Sequence, residues 1–137
     1  MNHFYVDILT PEKVVAQNIA AESLFVPTEK GQINILPEHT HLITKMGTGV
    51  LTLFTAGDQI DRVYTITHGI CKVLDNKVKI MSQVSEEKHD IDVQRAQNAL
   101  DHANEMLSRD EGLSDEELLK YRRKLERAKL RLQLASS

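Results

Sequence analysis

Two features of the sequence predict an α+β fold: an N-terminal antiparallel β sandwich of about ten strands, then a C-terminal antiparallel two-helix hairpin. The first is a break in composition near residue 85. Residues 1–84 hold 27 Val, Ile and Thr, and residues 85–137 hold two, Ile91 and Val93. β-Branched side chains fit a pleated, half-buried surface and lose rotamer freedom in a helix, so the first part is strand-rich and the second is free to coil. All three prolines and five of the six glycines also precede the break. The second feature is periodicity. Short runs between turn residues fill the first part, and three- and four-residue steps fill the second. The expected units are residues 1–85 and 90–137.

Residues 4–10 alternate, with Phe4, Val6 and Ile8 on one face and Tyr5, Asp7 and Leu9 on the other. Further strand candidates cover residues 14–16, 21–26, 32–35, 41–45, 50–55, 62–67, 70–74 and 77–82. Turn signals separate them at Thr10-Pro11, Gly31, Leu36-Pro37, Gly47-Thr48-Gly49, Gly57-Asp58, His68-Gly69 and Asp75-Asn76. Strands this short and this evenly spaced fit a sandwich or a flattened barrel.

Beyond the break, Ala96, Ala99, Leu100, Ala103, Met106 and Leu107 mark one helical stripe, with Asp90 and Asp92 suited to its N-cap. Gly112 interrupts it, and Ser114-Asp115-Glu116-Glu117 has the form of a capping box. Leu118, Tyr121, Leu125, Ala128, Leu132 and Ala135 then follow a heptad-like 3, 4, 3, 4, 3 spacing. The short link makes the two helices antiparallel neighbours. So narrow a stripe leaves the hairpin marginal by itself, which already hints at movement.

Composition excludes several classes. A formal charge of −3 and a pI near 6.1 give no global basic field for nucleic acid, and the 4% aromatic content supplies few stacking platforms. No apolar run approaches the ~20 residues of a spanning helix, so direct membrane insertion is not expected. The first residues resemble neither a secretory signal nor a transit peptide, an expectation of an uncleaved intracellular chain that favours a bacterial source. Cys71 is the single cysteine and lies in an apolar run, as a small core residue would. No phosphate loop, nucleophile elbow or zinc-protease motif is present, so no catalytic residue and no required cofactor is expected. His39 and His41 lack a third metal ligand nearby in sequence, so no metal site is expected either.

Several residues carry a family resemblance in their order and spacing. They are Thr10-Pro11-Glu12-Lys13, Val26-Pro27, Glu29, Gly31, Ile35-Leu36-Pro37, His39 and Leu42. Gly49-Val50-Leu51, His68-Gly69-Ile70 and the run Asp90-Ile91-Asp92-Val93-Gln94-Arg95-Ala96 complete the set. Across essentially its whole length the chain resembles the epsilon subunits of bacterial F-type ATP synthases. That resemblance implies a ten-stranded sandwich with a helical hairpin. It also implies a non-catalytic subunit of the central stalk, coupling the rotor to the catalytic head of a proton-translocating enzyme. The location implied is the cytoplasmic face of the bacterial membrane, reached through protein partners.

By the same resemblance, Glu29, Lys30, Gly31 and Gln32 would face the ring of c subunits, and His39, His41 and Leu42 the gamma subunit. Thr28, Asn34 and Glu38 stand where the family usually has glycine. Asn34 tolerates a left-handed backbone; Thr28 and Glu38 do so only at a cost, so the turns there are expected to shift. His68 also departs from the family, which commonly has a serine-and-glycine run there.

The tail segregates its charge. Residues 85–117 carry three bases against eleven acids, a net of −8; residues 118–137 carry seven bases against Glu126, a net of +6. One account is a solvated helix whose cations complement the dipole. The other is docking on an acidic surface once the hairpin opens. The resemblance supplies such a surface on the catalytic beta subunits, with Lys120, Arg122, Arg123 and Lys124 as contacts and inhibition of ATP hydrolysis as the result.

Folding about Gly112 sets residue 95 opposite about residue 129, between Arg127 and Arg131. Converging guanidinium groups need an anion, supplied internally by Asp92 or Glu86 or externally by phosphate. In the resembled family the pattern Ile-Asp-x-x-Arg-Ala accompanies a regulatory ATP on the folded hairpin. Glu86, Ile91, Asp92, Arg95, Ala96, Arg127 and Arg131 are the residues it implies here. His102 replaces an arginine found in some ATP-binding members, a change expected to weaken affinity.

Overall fold

In a computed structural model, which describes residues 3–38, 41–57, 61–109 and 112–137, the chain divides into two compact units, Met1–Lys88 and His89–Ser137. The first is built from eight described strands: β1 (Phe4–Leu9), β2 (Val14–Thr28), β3 (Gly31–Ile35), β4 (Leu42–Met46), β5 (Gly49–Thr55), β6 (Asp61–Ile66), β7 (Gly69–Leu74) and β8 (Lys77–Ser82). The second is built from α1 (Val93–Leu107) and α2 (Asp115–Ser136).

Layer one of the β unit runs β4-β7-β8-β1 and is joined at β1 by the first half of β2. Layer two is β3, the second half of β2, β5 and β6. Between them lies an apolar core that includes Phe4, Val6, Ile8, Leu24, Leu51, Leu53, Ile66 and Ile80. The alternation foreseen for β1 holds: Phe4, Val6 and Ile8 are all buried. Each such side chain contributes roughly 1.5–3 kcal/mol through removal from water.

The strand count falls short of about ten for a physical reason. Residues 14–16 and 21–26, expected as separate strands, belong to one fifteen-residue strand, β2. That strand carries a bulge within the half paired to β1. Pairing slips between Val6↔Ile19 and Ile8↔Ala16, and Asn18 takes φ 54°. Its N–H donates to Asp7 Oδ1 at 2.7 Å, and Asp7 Oδ2 meets Lys77 Nζ at 3.2 Å. A carboxylate thus holds the extra residue in place. The sheet is also not wholly antiparallel. β1 pairs with β8 in parallel, from Tyr5↔Lys77 to Leu9↔Met81, because the first and last strands meet without a hairpin between them.

Residues 84–87 continue along β6 without forming a ninth strand. Thr65 N–H donates to Glu86 O at 2.9 Å, Glu86 N–H donates to Thr65 Oγ1 at 3.0 Å, and Tyr64 bridges Glu87. Val84 N–H donates to Thr67 Oγ1 at 2.9 Å, and Ser82 Oγ lies 2.6 Å from Val84 O. Side-chain hydroxyls here stand in for part of the strand ladder.

Thr28 and Asn34 both adopt extended backbone inside β2 and β3, so neither needs the freedom of glycine. Glu38 does take the left-handed region, at φ 63°, and its N–H points at Asn76 Oδ1, 3.4 Å away. Gly69 is required by contact: a Cβ there would sit 1.9 Å from Met81 O on the adjacent strand.

Cys71 is fully buried in β7, and desolvation pushes its thiol from 9.0 up to about 12. The folded chain therefore keeps the thiol neutral while the unfolded chain ionises. The stability this contributes is complete below pH 9 and is lost as pH rises from 9 towards about 12. At pH 8 a disulfide reagent should leave the native thiol unmodified over a period in which denaturant-unfolded chain reacts fully. Equal labelling rates with and without denaturant would contradict this burial.

Candidate functional site

The hairpin unit is set by its caps. Asp92 is the N-cap of α1, its Oδ1 accepting from Arg95 N–H at 3.0 Å. Ser114 caps α2 by accepting from Glu117 N–H at 3.2 Å, and Glu117 Oε1 accepts from Ser114 N–H at 3.3 Å. Both caps match the sequence reading. Gly112, at φ 91°, supplies the left-handed backbone between the helices.

The seam between the helices is narrow. Ala96, Ala103, Ala128 and Leu134 are the buried helical residues of α1 and α2, and Leu132 and Ala135 are only half-buried. At about 100° per residue Leu134 lies about 120° around the helix from Ala128, so its burial is a separate contact and not a continuation of the stripe through Leu125, Ala128, Leu132 and Ala135.

The rings of His102 and Tyr121 meet edge to face at 6.0 Å and fix the helical register. Because antiparallel helices rise equally per residue, residue 95 then falls opposite residue 128, between Arg127 and Arg131. Arg95 is exposed, and Arg127 and Arg131 are half-buried. Among the described residues no carboxylate stands within ion-pair distance of Arg95 or Arg127. The carboxylate of Asp92, one internal counter-charge considered above, is engaged as the cap of α1. Glu86, the other, and Arg131 each have an interaction of their own. Ile91 and Ala96 are buried, so they shape the start of α1 rather than offering polar contacts.

Of the cations on α2 assigned to a partner, Arg122 and Arg123 are exposed. Lys120 and Lys124 instead fold over Tyr121, their Nζ atoms 5.5 and 5.7 Å from the ring centroid. Cation and ring attract there, so these two lysines are partly committed within the hairpin.

In the β unit, Glu29, Lys30, Gly31 and Gln32 form the exposed tip of the β2–β3 hairpin, where Thr28 Oγ1 donates to Gly31 O. His39 lies outside the described residues. His41 is exposed and paired with Asp75 at 3.4 Å, whereas Leu42 turns inward and packs on the core. The outward residue of that strand is Ile43, 70% exposed, which the sequence reading missed. Period-two alternation outward from Leu42 was the signal that could have found it. Among the described residues no three His, Cys, Asp or Glu side chains converge to hold a metal ion. Nor is any helix there long and apolar enough to cross a membrane.

A β body with an exposed hairpin tip, followed by a helical pair whose second member is basic, defines a two-unit protein. The same division appears in its relatives. The beta-sandwich domain of the ATP synthase delta/epsilon chain matches residues 3–88, and the long alpha-helix domain of that chain matches residues 89–136. The chain belongs to the ATP synthase epsilon-chain family and is a non-catalytic subunit rather than an enzyme in its own right.

Similar curated proteins include the chloroplastic ATP synthase epsilon chain of Emiliania huxleyi, 34% identical over 93% of this chain and 95% of that one. The epsilon chain of Persephonella marina is 33% identical over 94% and 93%, and that of Carboxydothermus hydrogenoformans 37% over 75% of each. Among solved structures, a chain of the Euglena gracilis mitochondrial ATP synthase, determined with OSCP, F1 and the c-ring, superposes with a TM-score of 0.81. It is 17% identical, and the match covers all of this chain and 83% of that one. A chain of the Tetrahymena thermophila central stalk and c-ring superposes at 0.66 with 12% identity, covering 96% and 95%. At such identities the likeness establishes the fold.

Proposed function

We propose that this chain is a central-stalk subunit of a bacterial proton-transporting ATP synthase, peripheral to the cytoplasmic face of the membrane. In this reading its β unit joins the gamma subunit to the c-ring, and its hairpin restrains ATP hydrolysis. The observation that carries the reading is the coincidence of two family domains with two compact units, one of them a weakly held helical pair with segregated charge. Glu29, Lys30, Gly31 and Gln32 reach the c-ring from a tight exposed turn, and the strand that begins at Leu42 leads towards gamma.

The tail works by exchanging partners. Closed, the nearly neutral α1 lies beside the basic α2. Open, Arg122 and Arg123, with Lys120 and Lys124 released from Tyr121, face an acidic surface of the catalytic alpha/beta head and block rotation. ATP opposes opening by bridging Arg95, Arg127 and Arg131, with Asp92 fixing the start of α1. A ligand bound only to the closed form stabilises it by RT ln(1 + [L]/Kd), roughly 2.7 kcal/mol at a hundredfold excess over Kd. For so narrow a seam that shift selects the closed population.

Two outcomes test these roles. Assembled enzyme whose subunit ends at residue 85 should keep its subunit composition and hydrolyse ATP at least twofold faster than the intact assembly. Unchanged hydrolysis would remove the proposed restraint. Titrating millimolar ATP into the full chain should move the amide resonances of α1 and α2 saturably, and Arg95→Ala should abolish the response. Resonances indifferent to ATP, or a response that survives in Arg95→Ala, would remove the nucleotide site.

A further inference from the structure

The chain leaves β8 and runs towards the helices through Val84-Ser85-Glu86-Glu87. Val84 is the one apolar side chain of this segment, and it is only half-buried. Ser85 is buried, and its hydroxyl finds no hydrogen-bond partner among the described residues. Burying such a group opposes attachment, so neither Val84 nor Ser85 accounts for how the segment is held.

The β body supplies the fastening. Thr65, Thr67 and Ser82 are all buried, and each turns its hydroxyl to the backbone of the segment. Thr67 Oγ1 accepts from Val84 N–H at 2.9 Å and donates to Val84 O at 3.3 Å. Ser82 Oγ lies 2.6 Å from the same carbonyl and accepts in turn from Thr67 N–H at 3.0 Å. Two residues on, Thr65 Oγ1 accepts from Glu86 N–H at 3.0 Å, and Thr65 N–H donates to Glu86 O at 2.9 Å. A single hydroxyl, that of Thr67, thus serves both the donor and an acceptor of Val84. Its removal strands buried polar groups, which weakens the neighbouring bonds as well. Residues 84–87 therefore hold or detach together.

Detachment would change the geometry of the tail. Four extended residues span roughly 13 Å, at about 3.3 Å each. Freeing them lengthens the tether by that distance and lowers the effective concentration of α2 at any surface it docks on. Attached, they fix the point from which the tail can swing.

We propose that the hydroxyls of Thr65, Thr67 and Ser82 form a clasp that sets the pivot of the tail. The clasp keeps residues 84–87 on β6 whether the hairpin is closed or open, so movement starts beyond them. This rests on the restraint of hydrolysis proposed above and adds the element that gives α2 its reach. All three are positioning residues, acting through the connecting segment.

Native-state hydrogen exchange of the full chain reads the clasp, and ATP hydrolysis by the assembled enzyme reads the restraint. In Thr67→Val/Ser82→Ala the amides of Val84 and Glu86 should both exchange roughly tenfold faster relative to the slowest amides of β1 and β8. Glu86 keeps its Thr65 acceptor in that variant, so its acceleration reports release of the whole segment. Hydrolysis should rise by roughly half the gain produced by truncation at residue 85. Thr67→Ser, which retains the hydroxyl, should match the parent in both measurements. Parent-like exchange at Val84 and Glu86 in the double variant would overturn the clasp. Released amides with hydrolysis at or below the parent rate, while truncation still accelerates it, would overturn the pivot and leave the restraint intact. Truncation without acceleration would overturn both. Should the double variant fail to assemble, Thr65→Val removes the acceptor at the other end of the segment and is held to the same outcomes.

Discussion

The hairpin is held by very little apolar surface. In His89–Ser137 the buried apolar side chains among the described residues are Ile91, Ala96, Ala103, Ala128 and Leu134. Alanine contributes little transfer free energy; Leu134 and Ile91 contribute roughly 1.5–3 kcal/mol each, and half-buried residues such as Leu100, Leu107, Leu118 and Leu125 add smaller amounts. Ordering one backbone residue costs about 1–2 kcal/mol, and the helices order several turns. Capping at Asp92 and Ser114 offsets part of that cost, at about 1 kcal/mol each. A unit balanced this finely responds to any ligand or partner worth a few kcal/mol. The proposed regulation by the tail depends on that balance.

The β unit has the opposite character. Its core fills both layers, β1 is paired on both edges, and residues 84–87 are fastened to β6 through Thr65, Thr67 and Ser82. An opening of the tail therefore finds a fixed anchor before Lys88. Such an arrangement suits a subunit whose one part must transmit load while the other changes state.

Local signals were legible in the sequence. Asp92 and the Ser114–Glu117 box announced the helix starts because a cap is a contact over three residues. The alternation of Phe4, Val6 and Ile8 gave the inner face of β1 for a similar reason. Non-local features were not legible. The single strand β2 is defined by pairing with β1 over its first half and with β3 and β5 over its second, and the parallel pair β1–β8 joins opposite ends of the unit. For the hairpin, counting across Gly112 placed residue 95 opposite about 129, and the contact between His102 and Tyr121 sets 128. Leu134 was missed because it lies off the stripe through Ala128, about 120° around the helix.

The claim that the hairpin is far weaker than the body that carries it is tested most directly by native-state hydrogen exchange of the full chain in increasing sub-denaturing urea. Amides of α1 and α2 should exchange through an opening of low free energy and small urea dependence. The slowest amides of β1, β7 and β8 should follow global unfolding. Convergence of both sets on a single opening free energy and slope would contradict the account, since the two units would then melt as one.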